Sequence, residues 1–174
     1  MKVLIDANAL TYLFGRVPAG DKCDAACCAT KVEDAESLEN KVSRSLLHTF
    51  LYTAQLYQEY RDTLDFGEFH EWWTATSNKG KLTPATTTPR NRALEKRLRG
   101  SGVANTDRRH ICAAEQTADH LLVSEDIDMW SPPEKSSRHA RKETVKQKNL
   151  GDVTRILRDF KVIRVNLAQS RRSL

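Results

Sequence analysis

The sequence has no long hydrophobic run. No apolar stretch approaches the ~20 residues that a membrane span needs. Asp6 and Asn8 interrupt the only apolar segment at the N-terminus before it could serve as the core of a signal peptide. We therefore expect a cytoplasmic protein with no membrane partner. The 174 residues are 39% hydrophobic and 29% charged, which favours one folded domain over residues 1–174 and excludes a disordered chain.

Cysteine pairs and common catalytic motifs are also missing. The four cysteines, Cys23, Cys27, Cys28 and Cys112, lack the paired CxxC spacing of zinc sites, and we interpret them as reduced thiols. The chain contains no HExxH, G-x-x-x-x-G-K-[ST], GxGxxG or G-x-S-x-G motif. The five histidines form no metal-binding pattern, and His110 is interpreted as a packed or surface residue.

Positive charge is concentrated in the second half of the chain. Residues 1–89 contain 9 Lys and Arg against 12 Asp and Glu, whereas residues 90–174 contain 19 against 11. The densest stretch is a basic insert at about 131–150, which attracts phosphate backbones in one interpretation and is a solvated surface loop in the other. The cations predicted to contact nucleic acid there are Lys135, Arg138, Arg141, Lys142, Lys146 and Lys148.

Strand-like and helix-like segments alternate along the chain. Four short β-prone segments are separated by about six helical ones, which predicts an α/β protein with a mainly parallel sheet and helices on both faces. The predicted strands are 2–5, 49–52, 121–123 and 162–165. Thr53 is predicted to cap the helix that contains Leu56 and Tyr60. Residues 23–47 are predicted to be helical with a break near Asn40, and 83–89 to form a connector.

Four carboxylates are predicted to meet at one edge of this sheet. Asp6 and Asp126 directly follow strands, Asp107 opens the helix that leads into strand 121–123, and Glu59 lies about two turns into the helix after strand 49–52. The carboxyl edge of a parallel sheet is where ligands bind. Because clustered like charges need a cation to neutralise them, and because the ligands are all oxygens, this pattern favours Mg²⁺ or Mn²⁺ over zinc.

Each of these carboxylates also has a purely structural interpretation. Asp6 and Asp107 are suitable helix caps, and Asp126 is a suitable turn residue. Glu59 could be an exposed ion-pair partner of Arg61 or Lys41, which would contribute little. The convergence of the four residues, rather than any one of them, favours the metal site.

The order of these residues resembles the PIN-domain ribonucleases. The resemblance covers most of residues 1–165. It lies in Val-Leu-Ile-Asp6-Ala-Asn-Ala-Leu, then Leu-Tyr-Gln-Glu59-Tyr, then Asp107-Arg-Arg-His-Ile-Cys-Ala-Ala-Glu, then Leu-Leu-Val-Ser-Glu-Asp126-Ile-Asp. There are 18 residues between Asp107 and Asp126, and a final Gly-Asp-Val helix and a strand follow.

The resemblance implies a Rossmann-like three-layer α/β/α sandwich that cleaves RNA with a divalent metal, leaving 5′-phosphate and 3′-hydroxyl ends. Asp6, Glu59, Asp107 and Asp126 would form the catalytic and metal-binding quartet. Supporting positions would be Asn8, Ser124 and Asp128, the last of which is equally suited to a turn. Arg108 and Arg109 join the predicted nucleic-acid contacts.

Several alternatives stay open. RNA is the expected partner, with single-stranded DNA as a second substrate, and a protein inhibitor or antitoxin and a second copy of the chain are further candidates. The candidate biological roles are those of a toxin, a defence effector and an RNA-processing enzyme. A non-catalytic nucleic-acid-binding module of the same fold is one competing function. A phosphatase of the haloacid dehalogenase kind is the other, although it would need an aspartate where Asn8 stands.

Overall fold

The computed structural model describes residues 1–18, 24–85, 91–117, 119–125 and 152–173, with side chains described up to residue 170. Within these ranges the chain forms five strands and eight helices. The strands are β1 (Lys2–Ile5), β2 (Thr49–Tyr52), β3 (Leu82–Pro84), β4 (Leu121–Val123) and β5 (Ile163–Val165). The helices are α1 (Ala7–Leu13), α2 (Ala25–Arg44), α3 (Ala54–Thr63), α4 (Phe66–Asn78), α5 (Arg92–Gly100), α6 (Asn105–Glu115), α7 (152–159) and α8 (Leu167–Ser173).

The five strands form one parallel sheet in the order β3-β2-β1-β4-β5. β1 lies at its centre, and Leu4 pairs with Leu51 of β2 on one side and with Leu122 of β4 on the other. Parallel neighbours need crossover connections, and helices provide them here. The predicted class is therefore confirmed: the fold is a Rossmann-like α/β/α sandwich.

The central strands are buried between the helices. Residues 3–5 and 121–123 are all buried, as expected for strands covered on both faces. Helix α6 packs on β1 and β4, whereas α2 packs against β2, α1 and α8. Burial of these apolar side chains is the main source of stability, at about 25 cal/mol per Å². The sheet therefore forms a rigid base for the residues at its edges.

One strand lies where the sequence predicts a connector. Residues 83–89 include two prolines and four threonines, yet β3 pairs with β2 from Phe50↔Leu82 to Tyr52↔Pro84. Pro84 is tolerated because β3 is an edge strand, where its missing N–H is not needed. Within the described ranges the sheet therefore has five strands, in agreement with the four to five strands expected for this fold class, and β3 is the strand that no β-prone segment identified.

Helix α2 is continuous where a break was predicted. The Asn40 side chain donates from Nδ2 to the Glu36 carbonyl at 2.9 Å, so its polar group is satisfied by the helix itself and the helix continues to Arg44. The predicted cap of α3 is confirmed, since Thr53 Oγ1 accepts a hydrogen bond from the Leu56 N–H at 3.0 Å. That cap fixes where α3 leaves the end of β2.

No helix of the described chain is long and apolar enough to cross a membrane. The 20-residue helix α2 is the longest of them, and its seven charged residues exclude it from a bilayer core. Its buried side chains, which include Leu38 and Val42, instead face the core of the domain.

The three cysteines that the structure describes differ in disulfide bonding and in burial. Cys27 is disulfide-bonded, so the prediction of four reduced thiols is wrong at this position. Cys28 and Cys112 are thiols. Burial of Cys112, together with the nearby charges of Glu115 and Glu95, raises the pKa of its thiol to about 11. Cys112 is therefore a packing residue of α6 and a poor nucleophile.

Candidate functional site

Asp6 and Ser124 meet where the two central strands end. Asp6 follows β1 and Ser124 follows β4, and the Asp6 N–H donates to the Val123 carbonyl at 2.9 Å. The Ser124 hydroxyl donates to Asp6 Oδ2, while Asp6 Oδ1 accepts the Ala9 N–H at 2.6 Å and so caps α1. Both oxygens of this carboxylate are thus held in place. The structural interpretation of Asp6 as a cap is confirmed, and it is compatible with a role at the site.

Helix α3 brings Glu59 to the same edge. The Tyr60 hydroxyl donates to the Ile5 carbonyl, which fixes α3 beside the end of β1. Burial raises the pKa of Tyr60 well above its ordinary value, and the negative charges of Asp6 and Glu59 raise it further. Asp6 and Glu59 are therefore close enough to act on the same buried hydroxyl.

The carboxylate of Glu59 is bound by side chains of two helices. Its Oε2 lies 2.8 Å from His110 Nε2 of α6, and its Oε1 accepts from Gln55 Nε2 at 3.0 Å. Burial raises the pKa of Glu59, but the hydrogen bond and charge of His110 and the hydrogen bond of Gln55 lower it, with a net result below the ordinary value. Glu59 is therefore an ionised carboxylate at neutral pH.

Asp107 lies in the first turn of α6. It was predicted to cap that helix, but α6 begins earlier, with Ala104 at the N-cap position and no side-chain cap. Asp107 is half-buried and its Oδ1 accepts from Thr106 Oγ1 at 3.5 Å. Asp107 is one turn before His110, which contacts Glu59, so the start of α6 lies on the side of the sheet where Glu59 is found. Asp6, Glu59, Asp107 and Ser124 are called the carboxyl edge below.

The two arginines after Asp107 have different surroundings. Arg108 donates to the Val103 carbonyl at 2.6 Å and to Asn105 Oδ1 at 3.0 Å, so it is bound within the fold. Arg109 is exposed and donates from Nη1 to Gln55 Oε1 at 2.8 Å. Of this predicted pair, Arg109 is the better placed to reach a ligand from solvent.

The donors at the carboxyl edge suit a hard cation in their chemistry. They are carboxylate and hydroxyl oxygens, which Mg²⁺ and Mn²⁺ prefer. Within the ranges that the structure describes, no three His, Cys, Asp or Glu side chains form a group that could hold a metal ion. The contacts that the structure shows are those of Asp6 with Ser124 and of Glu59 with His110.

Several predicted residues lie outside the described ranges. Asp126 is two residues beyond Ser124 in the sequence, and Asp128 follows it. Asn8 is described, half-buried in the first turn of α1 beside Asp6. The remaining predicted positions outside the described ranges are Lys135, Arg138, Arg141, Lys142, Lys146 and Lys148. Their roles stay predictions.

Two residues around the site, Glu125 and Gln55, have roles that the sequence analysis does not identify. Glu125 binds Lys31 Nζ of α2 at 3.2 Å and accepts the Leu167 N–H at the start of α8 at 2.7 Å, so it fixes the chain just after Ser124. The contact of Gln55 with Glu59 follows i,i+4 spacing on a helix and could have been found. The contacts of Glu125 join residues that are far apart in the sequence, so no local spacing predicts them.

Comparison of the chain with protein-family models, with curated proteins and with solved structures finds no match. What the chain does is therefore inferred from its own residues and their arrangement.

Proposed function

We propose that this chain is a metal-dependent endoribonuclease of the PIN-domain kind. One observation carries the proposal: Asp6 and Ser124 are hydrogen-bonded at the adjacent ends of β1 and β4, and α3 and α6 bring Glu59 and Asp107 to the same edge of the sheet. Metal-dependent phosphodiester hydrolysis uses side chains that hold divalent cations, and ligands of parallel sheets bind at the carboxyl edge, which supports the proposal.

The residues of the edge would act by position and charge. Asp6 is held by Ser124 and by the first turn of α1, and Glu59 by Gln55 and His110, so neither carboxylate has to be ordered when a ligand binds. Bound Mg²⁺ or Mn²⁺ would supply Lewis-acid chemistry at the scissile phosphate. Asp6, Glu59 and Asp107, with Asp126, are the residues that would hold it.

Charge also supports a polyanionic substrate. A cluster of carboxylates repels phosphate unless cations lie nearby. Arg109 is exposed next to Gln55 and Glu59, and the second half of the chain carries the whole positive excess. In this proposal, basic residues bind the substrate backbone and the carboxyl edge cuts it. The choice of RNA, and of 5′-phosphate and 3′-hydroxyl products, follows the sequence resemblance.

The direct test uses purified protein with end-labelled single-stranded RNA, single-stranded DNA and duplexes, each with Mg²⁺, Mn²⁺ or EDTA. We expect internal cuts in single-stranded RNA with either metal and none with EDTA, and mapped ends that carry 5′-phosphate and 3′-hydroxyl groups. Cleavage of DNA alone would reassign the substrate. Binding without cleavage under any condition would refute the proposal in favour of a non-catalytic module. Release of phosphate from a monoester would favour a phosphatase.

A further inference from the structure

A closed chain of hydrogen bonds joins α3 to α6 at Glu59. His110 Nε2 is 2.8 Å from Glu59 Oε2. Gln55 Nε2 donates to Glu59 Oε1 at 3.0 Å, and Arg109 Nη1 donates to Gln55 Oε1 at 2.8 Å. Because residues 55 and 59 are one turn apart and 109 and 110 are consecutive, the four side chains form a ring between the two helices. We call them the Glu59 clamp.

The donor and acceptor roles within the clamp are determined by chemistry. Arginine only donates, so the Gln55 atom that faces Arg109 is the carbonyl oxygen and its NH₂ group faces Glu59. A carboxylate only accepts, so His110 donates from Nε2. Each oxygen of Glu59 therefore accepts one bond, which fixes the rotation of the carboxylate as well as its location.

His110 and Glu59 differ in their access to solvent. The His110 side chain is 5% exposed and that of Glu59 is 29% exposed. His110 Nδ1 is buried and has no hydrogen-bond partner among the described residues. The imidazole therefore cannot touch a substrate in solution, whereas the carboxylate in front of it can. Burial of a polar ring costs free energy unless the ring is hydrogen-bonded, and among the described residues the hydrogen bond of the His110 ring is to the Glu59 carboxylate.

We propose that His110 is a positioning residue that, with Gln55 and Arg109, fixes the Glu59 carboxylate for metal binding at the carboxyl edge. This inference rests on the proposed function, because the value of a fixed carboxylate is that it holds an ion or orients water. Residues that orient a ligand in this way typically change metal affinity or activity by about 10- to 100-fold when removed.

The test compares His110→Leu with His110→Gln, using His70→Leu as a matched control because His70 is an exposed histidine on α4. Mn²⁺ affinity is measured by calorimetry. The rate of RNA cleavage is measured separately, at saturating Mn²⁺. We expect His110→Leu to lose about 10- to 100-fold in Mn²⁺ affinity or in the rate of RNA cleavage. His110→Gln, whose amide can still donate to Glu59, should recover most of the loss, and His70→Leu should match the wild type. A merely structural role would lower the melting temperature without changing Mn²⁺ affinity or cleavage per folded molecule.

A second measurement separates failure of the clamp from failure of the proposed function. Melting temperatures of metal-free His110→Leu, Glu59→Ala and the double variant give a double-mutant cycle. If the wild type neither binds Mn²⁺ nor cuts RNA, the proposed function fails and the inference with it, even if the cycle shows coupling. If the wild type is active, strictly additive losses, or a folded His110→Leu that binds Mn²⁺ and cuts RNA like the wild type, overturn the clamp alone. Should His110→Leu not fold, Gln55→Ala removes the other donor from a half-buried position and should weaken Mn²⁺ binding.

Discussion

The two edges of the parallel sheet handle charge in different ways. At the amino edge, where the strands begin, the Met1 ammonium donates to the Leu47 carbonyl at 2.8 Å, and Lys81 Nζ donates to the Ser45 carbonyl. Asp119 accepts the Lys2 backbone N–H at 2.7 Å. Most of these contacts are to backbone atoms, and the Met1 ammonium also lies 3.1 Å from His48 Nδ1 and 3.9 Å from Asp119 Oδ2.

At the carboxyl edge the charged groups bind side chains of other elements, although Asp6 also accepts the Ala9 N–H. Asp6 accepts from Ser124, and Glu59 from His110 and Gln55. These contacts join residues that are 118 and 51 positions apart. The difference teaches that an aspartate beside a strand is not by itself a functional signal: Asp119 binds the backbone N–H of the first residue of β1, whereas Asp6 is hydrogen-bonded to the side chain of Ser124 after the neighbouring strand.

The largest effect is expected when Asp6 and Asp119 are replaced in two separate variants, which tests this contrast between the edges. Asp6→Asn should lower RNA cleavage by more than about 100-fold, because a direct ligand should cost more than the residues that orient it. The fold should remain, since asparagine can still accept the Ala9 N–H and cap α1. Asp119→Asn should cut at the wild-type rate. Initial rates with Mg²⁺, and circular dichroism of both variants, are the measurements.

Either of two results would break the comparison between the edges. A folded Asp6→Asn protein that cleaves at the wild-type rate would remove Asp6 from the site. Equal losses in Asp6→Asn and Asp119→Asn would show that both substitutions act through the stability of the sheet instead.

A smaller effect is expected from the basic insert, which would supply the binding that the carboxyl edge lacks. Changing its six cations to Gln should flatten the slope of log affinity against log salt by about two units, if about half of them contact phosphates at ~0.7 per contact. Cleavage at saturating RNA should change little. Filter binding at several salt concentrations is the measurement. The six positions are Lys135, Arg138, Arg141, Lys142, Lys146 and Lys148.

The matched control for this experiment removes exposed cations from the first half of the chain, at Arg44, Arg61 and Lys79. Their replacement by Gln should leave the salt slope unchanged. An unchanged slope in the variant of the insert would instead identify that segment as a solvated surface loop.

The smallest effect is a pH dependence at the amino edge. Burial of His48 and the adjacent N-terminal ammonium lower its pKa in the folded protein, although Asp119 opposes them. The unfolded chain then binds the proton first as pH falls, so His48 should reduce stability between about pH 7 and pH 5. Urea unfolding of His48→Gln should show a shallower decline than the wild type, and His70→Gln should not. Parallel declines in all three proteins would contradict the assignment.

Much of the fold could be predicted from local patterns. Apolar runs located β1, β2, β4 and β5, and Thr53 marked the start of α3, because hydrophobic periodicity and capping are local properties. β3 was missed because threonines and prolines resemble a turn until a neighbouring strand pairs with them. The sequence predicts the start of α6 at Asp107 because aspartate is a favourable N-cap residue. In the structure the N-cap position belongs to Ala104 instead.

The site was less predictable than the fold. Topology alone predicts that Asp6, Glu59 and Asp107 lie at one edge; the structure shows Asp6 bonded to Ser124 and Glu59 bonded to His110, and a shared metal site stays a prediction. The sequence does not identify the partner of Glu59: it indicates only a packed or surface residue at His110, and no local pattern links this histidine to a glutamate 51 positions away. Contacts of this kind depend on the packing of α3 against α6, which the sequence does not encode in any one segment.

The most direct test of the central claim, that the carboxyl edge binds a divalent metal and the amino edge does not, is a thermal shift with millimolar Mn²⁺. Wild type and Asp119→Asn should gain melting temperature together, by an amount that grows with the logarithm of Mn²⁺ concentration above the dissociation constant. The Asp6→Asn, Asp107→Asn double variant should gain nothing. A double variant stabilised by Mn²⁺ as much as the wild type would contradict the account.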